Sequence, residues 1–307
     1  MVPISKNKGL SSHSMCSSQV VVCETSGMND KYLKPTFFFD QAKGLKRGEK
    51  LDFNILLKLF VHAGIDWFME EHGVLFLLRP KSVRVCIILA LAIFLIGFTI
   101  AYAIAYFVGG TQGPPDTFSV VHNYISDLGS YNFTPAPYLF DVICMVTASL
   151  LVIIFTYANK VLVNELAEAK EGLAPTRLGI MHGFRLLGYI ASVVGAAGFF
   201  GIGVFSEDRN RIGNFTHMHF IVSAMVWGGL VFGSLGLGLL AVQVKVFIPK
   251  PLGVFMIIGP LAPFVIFSLA LLIHPYPLPT RPLEWIMLAA VFCWTIPVGG
   301  IIFKMTR

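Results

Sequence analysis

The chain has 307 residues, of which 55% are hydrophobic and only 13% charged, and its mean hydropathy is +0.74. A soluble domain carries about 25% charged residues, so this composition excludes an ordinary water-soluble globule and points to lipid as the main solvent. The net charge of +6 raises nucleic acid as a partner, and the placement of the charges argues against it.

In chain order, residues 1–34 are Ser-rich and aperiodic, and are expected to form a disordered cytosolic tail. Residues 35–82 are read as a basic and amphipathic juxtamembrane segment. Its first part carries Lys43, Lys46, Arg47 and Lys50. From Leu51 to Leu78 the chain is apolar but interrupted by Asp52, Lys58, His62, Asp66 and Glu70, close to every fourth residue. A polar stripe on an apolar helix suits either the membrane interface or a cytosolic helix packed against the bundle. The first long apolar run begins near Val83, too late for a signal peptide, so the residues before it are expected in the cytosol.

Residues 83–307 are read as a six-helix transmembrane domain. Six apolar runs are each long enough to cross a hydrocarbon core, which takes about 20 residues. They cover about 85–108, 137–157, 186–205, 219–242, 252–273 and 285–303. The second carries a carboxylate, Asp141, and the third is rich in Gly and Ala. Gly229 and Gly233 give the fourth a GxxxG spacing, which allows close helix approach but is a weak signal in so glycine-rich a chain. Pro260 and Pro263 are placed to interrupt the fifth. Three of the five cysteines lie in apolar runs and two in the tail, without metal-type spacing, so neither a disulfide framework nor a zinc ribbon is expected.

Lys and Arg placement sets the expected orientation. Of the 23, all but Arg209, Arg211 and Arg281 fall in the N-terminal segment, the even-numbered loops and the C-terminal end. The fold class is therefore all-α: a polytopic membrane protein, a bundle of six transmembrane helices, N-in/C-in, with a cytosolic N-terminal extension. The basic charge faces the anionic lipid of the cytosolic leaflet, and no nucleic acid is implied. The sequons Asn132-Phe-Thr134 and Asn214-Phe-Thr216 both fall in loops assigned to the opposite side.

Those same loops concentrate the groups able to do chemistry. The first holds Asp116, His122, Ser126 and Asp127, with Asp141 one turn inside the second span. The second holds Glu207, Asp208, Arg209, Arg211, His217 and His219, and the third His274 and Glu284. An ionisable group inside a span is costly and marks a functional candidate, which singles out Asp141. One reading is a catalytic site of Asp141, Asp127 and His219, with Ser126 as a nucleophile and His122 and His217 nearby. A divalent metal held by some of His122, Asp127, Asp141, His217 and His219 could activate water against an ester or amide. The other reading has these groups capping helix ends, bonding to loop backbone or contacting lipid headgroups. Neither HExxH nor GxSxG is present. Arg209 and Arg211 could pair with a lipid phosphate, although two arginines in an exposed loop are usually solvated.

The segment HNYISDLGSYNFTPAPYLFD, with Ile125, Ser126, Asp127 and Gly129, resembles the ISD-G element that precedes a proline and the second span in the DRAM/Sfk superfamily. The stretch LGYIASVVGAAGFFGIGVFSEDRNRIGNFTHMHF is similar to that superfamily's glycine-rich span, short loop and helix-opening histidine. The resemblance covers about residues 85–303. The chain differs in its paired histidines, its basic extension and its charged SEDRNR loop. The superfamily includes damage-regulated autophagy modulators, the post-GPI-attachment factor that acts in lipid remodelling of GPI anchors, the Cwh-type N-terminal hydrophobic domain and a prokaryotic family of unknown function. The resemblance implies a six-helix bundle acting on or organising membrane lipid, with Ser126, Asp127 and either His217 or His219 as its element. Whether such a protein is an enzyme stays open at this point. A non-catalytic regulator or scaffold with a cytosolic basic extension is the alternative, and a small-solute transporter a third. An endomembrane (Golgi, ER or lysosome) or the plasma membrane would suit each.

Overall fold

A computed structural model describes residues 74–111, 118–169, 174–209, 211–212, 215–273 and 280–307. The tail 1–34, most of the juxtamembrane segment, Asp116, Asn214 and His274 lie outside the described residues. A 3-10 turn, Val74–Leu78, leads into α1, Pro80–Val108. The long helices that follow are α2 (Pro137–Glu168), α3 (Pro175–Val204) and α4 (Met218–Gln243). Then come α5 (Lys250–Ile258), α6 (Leu261–Leu272) and α7 (Thr280–Met305). A small antiparallel pairing of β1, Arg211–Ile212, with β2, Phe215–Thr216, precedes α4. Among the described residues, six helical segments are long and apolar enough to cross a membrane, with α5 and α6 counted as one.

The expected spans fall within these helices to within a residue, and two of the helices run well past them. Helix α2 continues to Glu168 instead of stopping at 157, and α3 begins at Pro175 instead of 186. Hydropathy registers the part of a helix that lipid touches, whereas backbone hydrogen bonding continues into polar residues beyond the membrane. At 1.5 Å per residue α2 is about 48 Å long, well over a hydrocarbon core of about 30 Å. Prolines at the first turn start α1, α2, α3 and α5, where a missing N–H costs nothing.

The fifth span is interrupted at Gly259 and Pro260, as the two prolines suggested it could be. Pro260 has no N–H to give the carbonyl of Met256, one turn earlier. The hydroxyl of Ser234, fully buried on α4, donates to that carbonyl at 2.6 Å instead. A neighbouring helix thus satisfies the backbone group that the proline leaves open, as lipid surroundings require.

Successive helices pack as neighbours from α1 to α5, and α7 meets both α6 and α1. The most extensive pair is α3 with α4. It depends on glycine: a Cβ on Gly229 would fall on the backbone of Gly195, one on Gly233 on Ser192, and one on Gly236 within 2.5 Å of the Gly188 nitrogen. The GxxxG spacing therefore works as a packing face here, although the sequence alone made it a weak signal. Both α3 and α4 end or begin beside the 205–217 loop, so their rigid contact fixes the base of that loop.

Candidate functional site

The loop between α1 and α2 folds inward at one end of the bundle, the site end. Its sequence Ile125-Ser-Asp-Leu-Gly129 forms a 3-10 turn in which all five residues are buried. The turn is tied locally and at a distance. The Asp127 carboxylate accepts hydrogen bonds from the Asn123 amide at 3.1 Å and the Tyr124 N–H at 3.0 Å. Asn123 in turn accepts from the Ser119 N–H at 3.0 Å. Helix α7 holds the turn from the other side. Glu284 accepts the Ile125 N–H at 2.7 Å, Trp285 donates its indole N–H to the Asn123 carbonyl at 2.9 Å, and the Tyr124 and Thr280 hydroxyls meet at 2.6 Å. Beneath lies an aromatic floor in which Trp285 packs edge-on against Phe98 and Tyr102. Gly129 closes the turn where space is shortest: a Cβ there would lie 3.2 Å from an Asp141 oxygen and 3.3 Å from Ser206.

His219, in the first turn of α4, faces this turn. Its Nδ1 lies 2.7 Å from the carbonyl oxygen of Phe205. A carbonyl only accepts, so Nδ1 carries the proton and Nε2 is the nitrogen with a lone pair in the neutral ring. The Asp127 carboxylate is close enough to act electrostatically on the ring. The preceding His217 caps α4 in the left-handed conformation, with φ 76°. It is the sole non-glycine residue with positive φ among the described residues, and it swings the chain so that His219 turns inward.

Asp141 lies in the first turns of α2, 2% exposed, and forms an ion pair with Arg209. Arg209 also donates from Nε to the Ser206 hydroxyl at 3.2 Å, while its neighbour Asp208 accepts from the Ser130 hydroxyl at 2.9 Å and the Tyr131 N–H at 2.6 Å. Consecutive residues of one loop therefore clamp the other loop and the start of α2. The other Asp141 oxygen has no hydrogen-bond partner and lies against Gly129. Arg209 is thus a partner to protein and not simply a solvated arginine, which corrects the expectation for that loop. The pairing joins positions far apart in sequence. Its one available signal was a lone buried-span carboxylate opposite a loop cation on the same side of the membrane.

The six sequence candidates divide in two. Asp127, Ser126, Asp141 and His219 belong to the inward face of the site end, Asp127 acting on His219 electrostatically and Asp141 ion-paired with Arg209. Ser126 lies in the same buried turn as Asp127 and lines an internal cavity together with Glu284. His122 is exposed in its own turn, with Nδ1 3.0 Å from the Ser119 hydroxyl, and His217 is exposed at the start of α4. Among the described residues no three His, Cys, Asp or Glu side chains are grouped so as to hold a metal ion. The five candidate ligands are thus spread over two pairs and two exposed rings.

Residues 83–303, from the start of α1 almost to the end of α7, match the family described as the Frag1/DRAM/Sfk1/Cwh43P N-terminal domain. The chain belongs to this family. No curated protein and no solved structure matches it closely enough to carry an argument. In this Frag1/DRAM/Sfk1 family member, an integral membrane protein, the buried ISD-G turn is the element that α1, α2, α7 and the Glu207–Arg209 turn all converge on. Sequence reasoning missed Asp208 and Glu284 as partners of the turn and its exit, and Arg209 as the partner of Asp141, because a loop acid or base gives no sign of which distant group it will bond.

Proposed function

We propose that the protein acts on or organises membrane lipid from its site end, in the lumenal or outer leaflet, with both termini in the cytosol. The observation that carries this reading is a histidine, His219, whose Nδ1 is committed to the Phe205 carbonyl, with the Asp127 carboxylate near enough to act on the ring electrostatically. That commitment fixes the tautomer and leaves Nε2 as the basic atom, and a nearby carboxylate stabilises the ring once it takes a proton. Ser126 in the adjacent position supplies a hydroxyl of the class that such a base activates. The half-exposed Arg209 is a further cation at the site end, and on this reading its exposed face meets a headgroup phosphate. Membership of a family resembling GPI-lipid remodelling and autophagy-modulator proteins supports lipid as the substrate class. The Lys/Arg bias supports the orientation, with the basic segment 35–82 against anionic cytosolic lipid.

A second reading has one observation in its favour. Asp127 accepts two hydrogen bonds from its own turn, the arrangement of a cap. On that reading the site end is a rigid platform for lipid or protein and performs no chemistry. Comparing membranes from cells that carry the native chain, no chain, Asp127→Asn or His219→Gln separates the two. If the site is catalytic, both variants reproduce the lipid profile of cells without the chain while accumulating to native levels. A native lipid profile in either variant would refute catalysis and leave the platform.

A further inference from the structure

The bundle carries a second inward cation, one that the site end does not use. Arg185 lies on α3, half-buried against α2, and its Nη1 donates to the side-chain oxygen of Asn159. Its Nε is enclosed without an acceptor, and among the described residues no carboxylate lies within ion-pair distance of it. A charge brought into lipid surroundings with one neutral partner is costly and marks a functional candidate. Its depth follows from the two helices independently. Asn159 lies about 27 Å beyond Asp141 along α2, and Arg185 about 28 Å from Val204 along α3. Either distance matches one hydrocarbon core of about 30 Å. The pair therefore sits at the membrane boundary opposite the site end, where α2 and α3 leave the lipid.

The pair presents only donors. A guanidinium cannot accept, so the Asn159 oxygen faces it and the amide nitrogen points elsewhere. The two N–H groups of that nitrogen have no acceptor among the described residues, and neither has the Arg185 Nη2. Across the same α2–α3 contact the Tyr189 and Thr156 hydroxyls meet at 3.4 Å. Exposed Lys160 follows Asn159, and exposed His182 lies one turn before Arg185 on the same side of α3. Such a surface suits the oxygens of a phosphate, which arginine's planar fork matches, and it offers no acceptor to a choline or an ammonium group. Just beyond Arg185, towards the middle of the bilayer, α3 exposes Leu186 and Ile190, apolar surface for lipid chains. We infer that Arg185 and Asn159 bind the phosphate of an anionic phospholipid in the leaflet opposite the site end. This site stands apart from any chemistry at Asp127 and His219.

The test is native mass spectrometry of the purified, delipidated full-length protein in an uncharged detergent. Dioleoyl phosphatidylglycerol and dioleoyl phosphatidylcholine are titrated separately. The first phosphatidylglycerol should bind about tenfold or more tightly than the first phosphatidylcholine, the scale of a charge-assisted hydrogen bond. In Arg185→Gln that phosphatidylglycerol should bind about tenfold more weakly while phosphatidylcholine binds as before. Lys304→Gln removes an exposed cation from the same end of the bundle, on α7, and should bind both lipids as the native chain does. Should Arg185→Gln fail to accumulate, Asn159→Ala keeps the cation, loses the amide donors and should weaken phosphatidylglycerol binding severalfold. Millimolar glycerol 3-phosphate, the same phosphate without chains, should not displace the lipid. Equal affinity for the two lipids in the native chain would overturn the inference. So would native phosphatidylglycerol affinity in Arg185→Gln or Asn159→Ala, or an equal loss in Lys304→Gln. Displacement by glycerol 3-phosphate would assign the site to a free phosphate and overturn the lipid. Asp127→Asn should bind phosphatidylglycerol as the native chain does, so loss of a lipid-converting activity in that variant leaves this site in place.

Discussion

At Asp141 the bundle holds a carboxylate with one oxygen on Arg209 and the other against Gly129. A buried acid in a span is tolerated when it has such a partner, so the pair is expected to behave as a unit. Asp141→Asn and Arg209→Gln should each lower the thermal stability of the purified protein, and the double variant should cost little more than either. The coupling should be on the order of 1 kcal/mol, kept small because half of the arginine is in contact with solvent. Strictly additive losses in a melting experiment would contradict the pairing. The two histidines at α4 separate in the same way. His217 occupies a left-handed position that an L side chain adopts at a cost of about 1–2 kcal/mol, so His217→Gly should preserve or raise stability and preserve function. His219→Ala removes the bond to the Phe205 carbonyl and should lose function. Reversal of that order would make His217 the family histidine.

Helix α5 and helix α6 illustrate how an element is mended by its neighbour. Ser234→Ala leaves the Met256 carbonyl without a donor and should destabilise by about 1–3 kcal/mol. Adding Pro260→Ala, which restores the missing N–H, should recover most of that loss, and a double variant as unstable as the single would refute the explanation. The glycines of α4 give a contrast between adjacent positions. Gly229→Ala forces a methyl into the Gly195 backbone, whereas Gly228 has nothing within 4 Å of its Cβ. Folded yield should fall for the first and hold or rise for the second, since alanine favours a helix by about 1 kcal/mol over glycine. These contrasts mark what the sequence could tell. The six spans were legible because lipid demands a continuous apolar run, Asp141 and His219 stood out as polar groups at the edge of such runs, and Asp127 through the ISD-G resemblance. The ends of α2 and α3 were not, because helix continues past the apolar window. The Ser234–Met256 and Asp141–Arg209 bonds were not either, because each depends on which faces meet after packing.

For the whole molecule, orientation and chemistry are linked: on the orientation proposed from the Lys/Arg bias, the site end faces away from the cytosol. Epitope tags at both termini should be reachable after selective permeabilisation of the plasma membrane, and a tag between Phe205 and His217 should stay protected if the protein lies in an internal membrane. Labelling of one terminus without the other would rule out an even number of spans. That the site end works on lipid is tested most directly with the purified protein in vesicles of defined phospholipid. Native protein should convert a measurable fraction of one lipid class, and Asp127→Asn and His219→Gln should abolish the conversion while melting within a few degrees of native. Conversion that persists in both variants, or no change in any lipid with well-folded native protein, would contradict a catalytic site at Asp127 and His219.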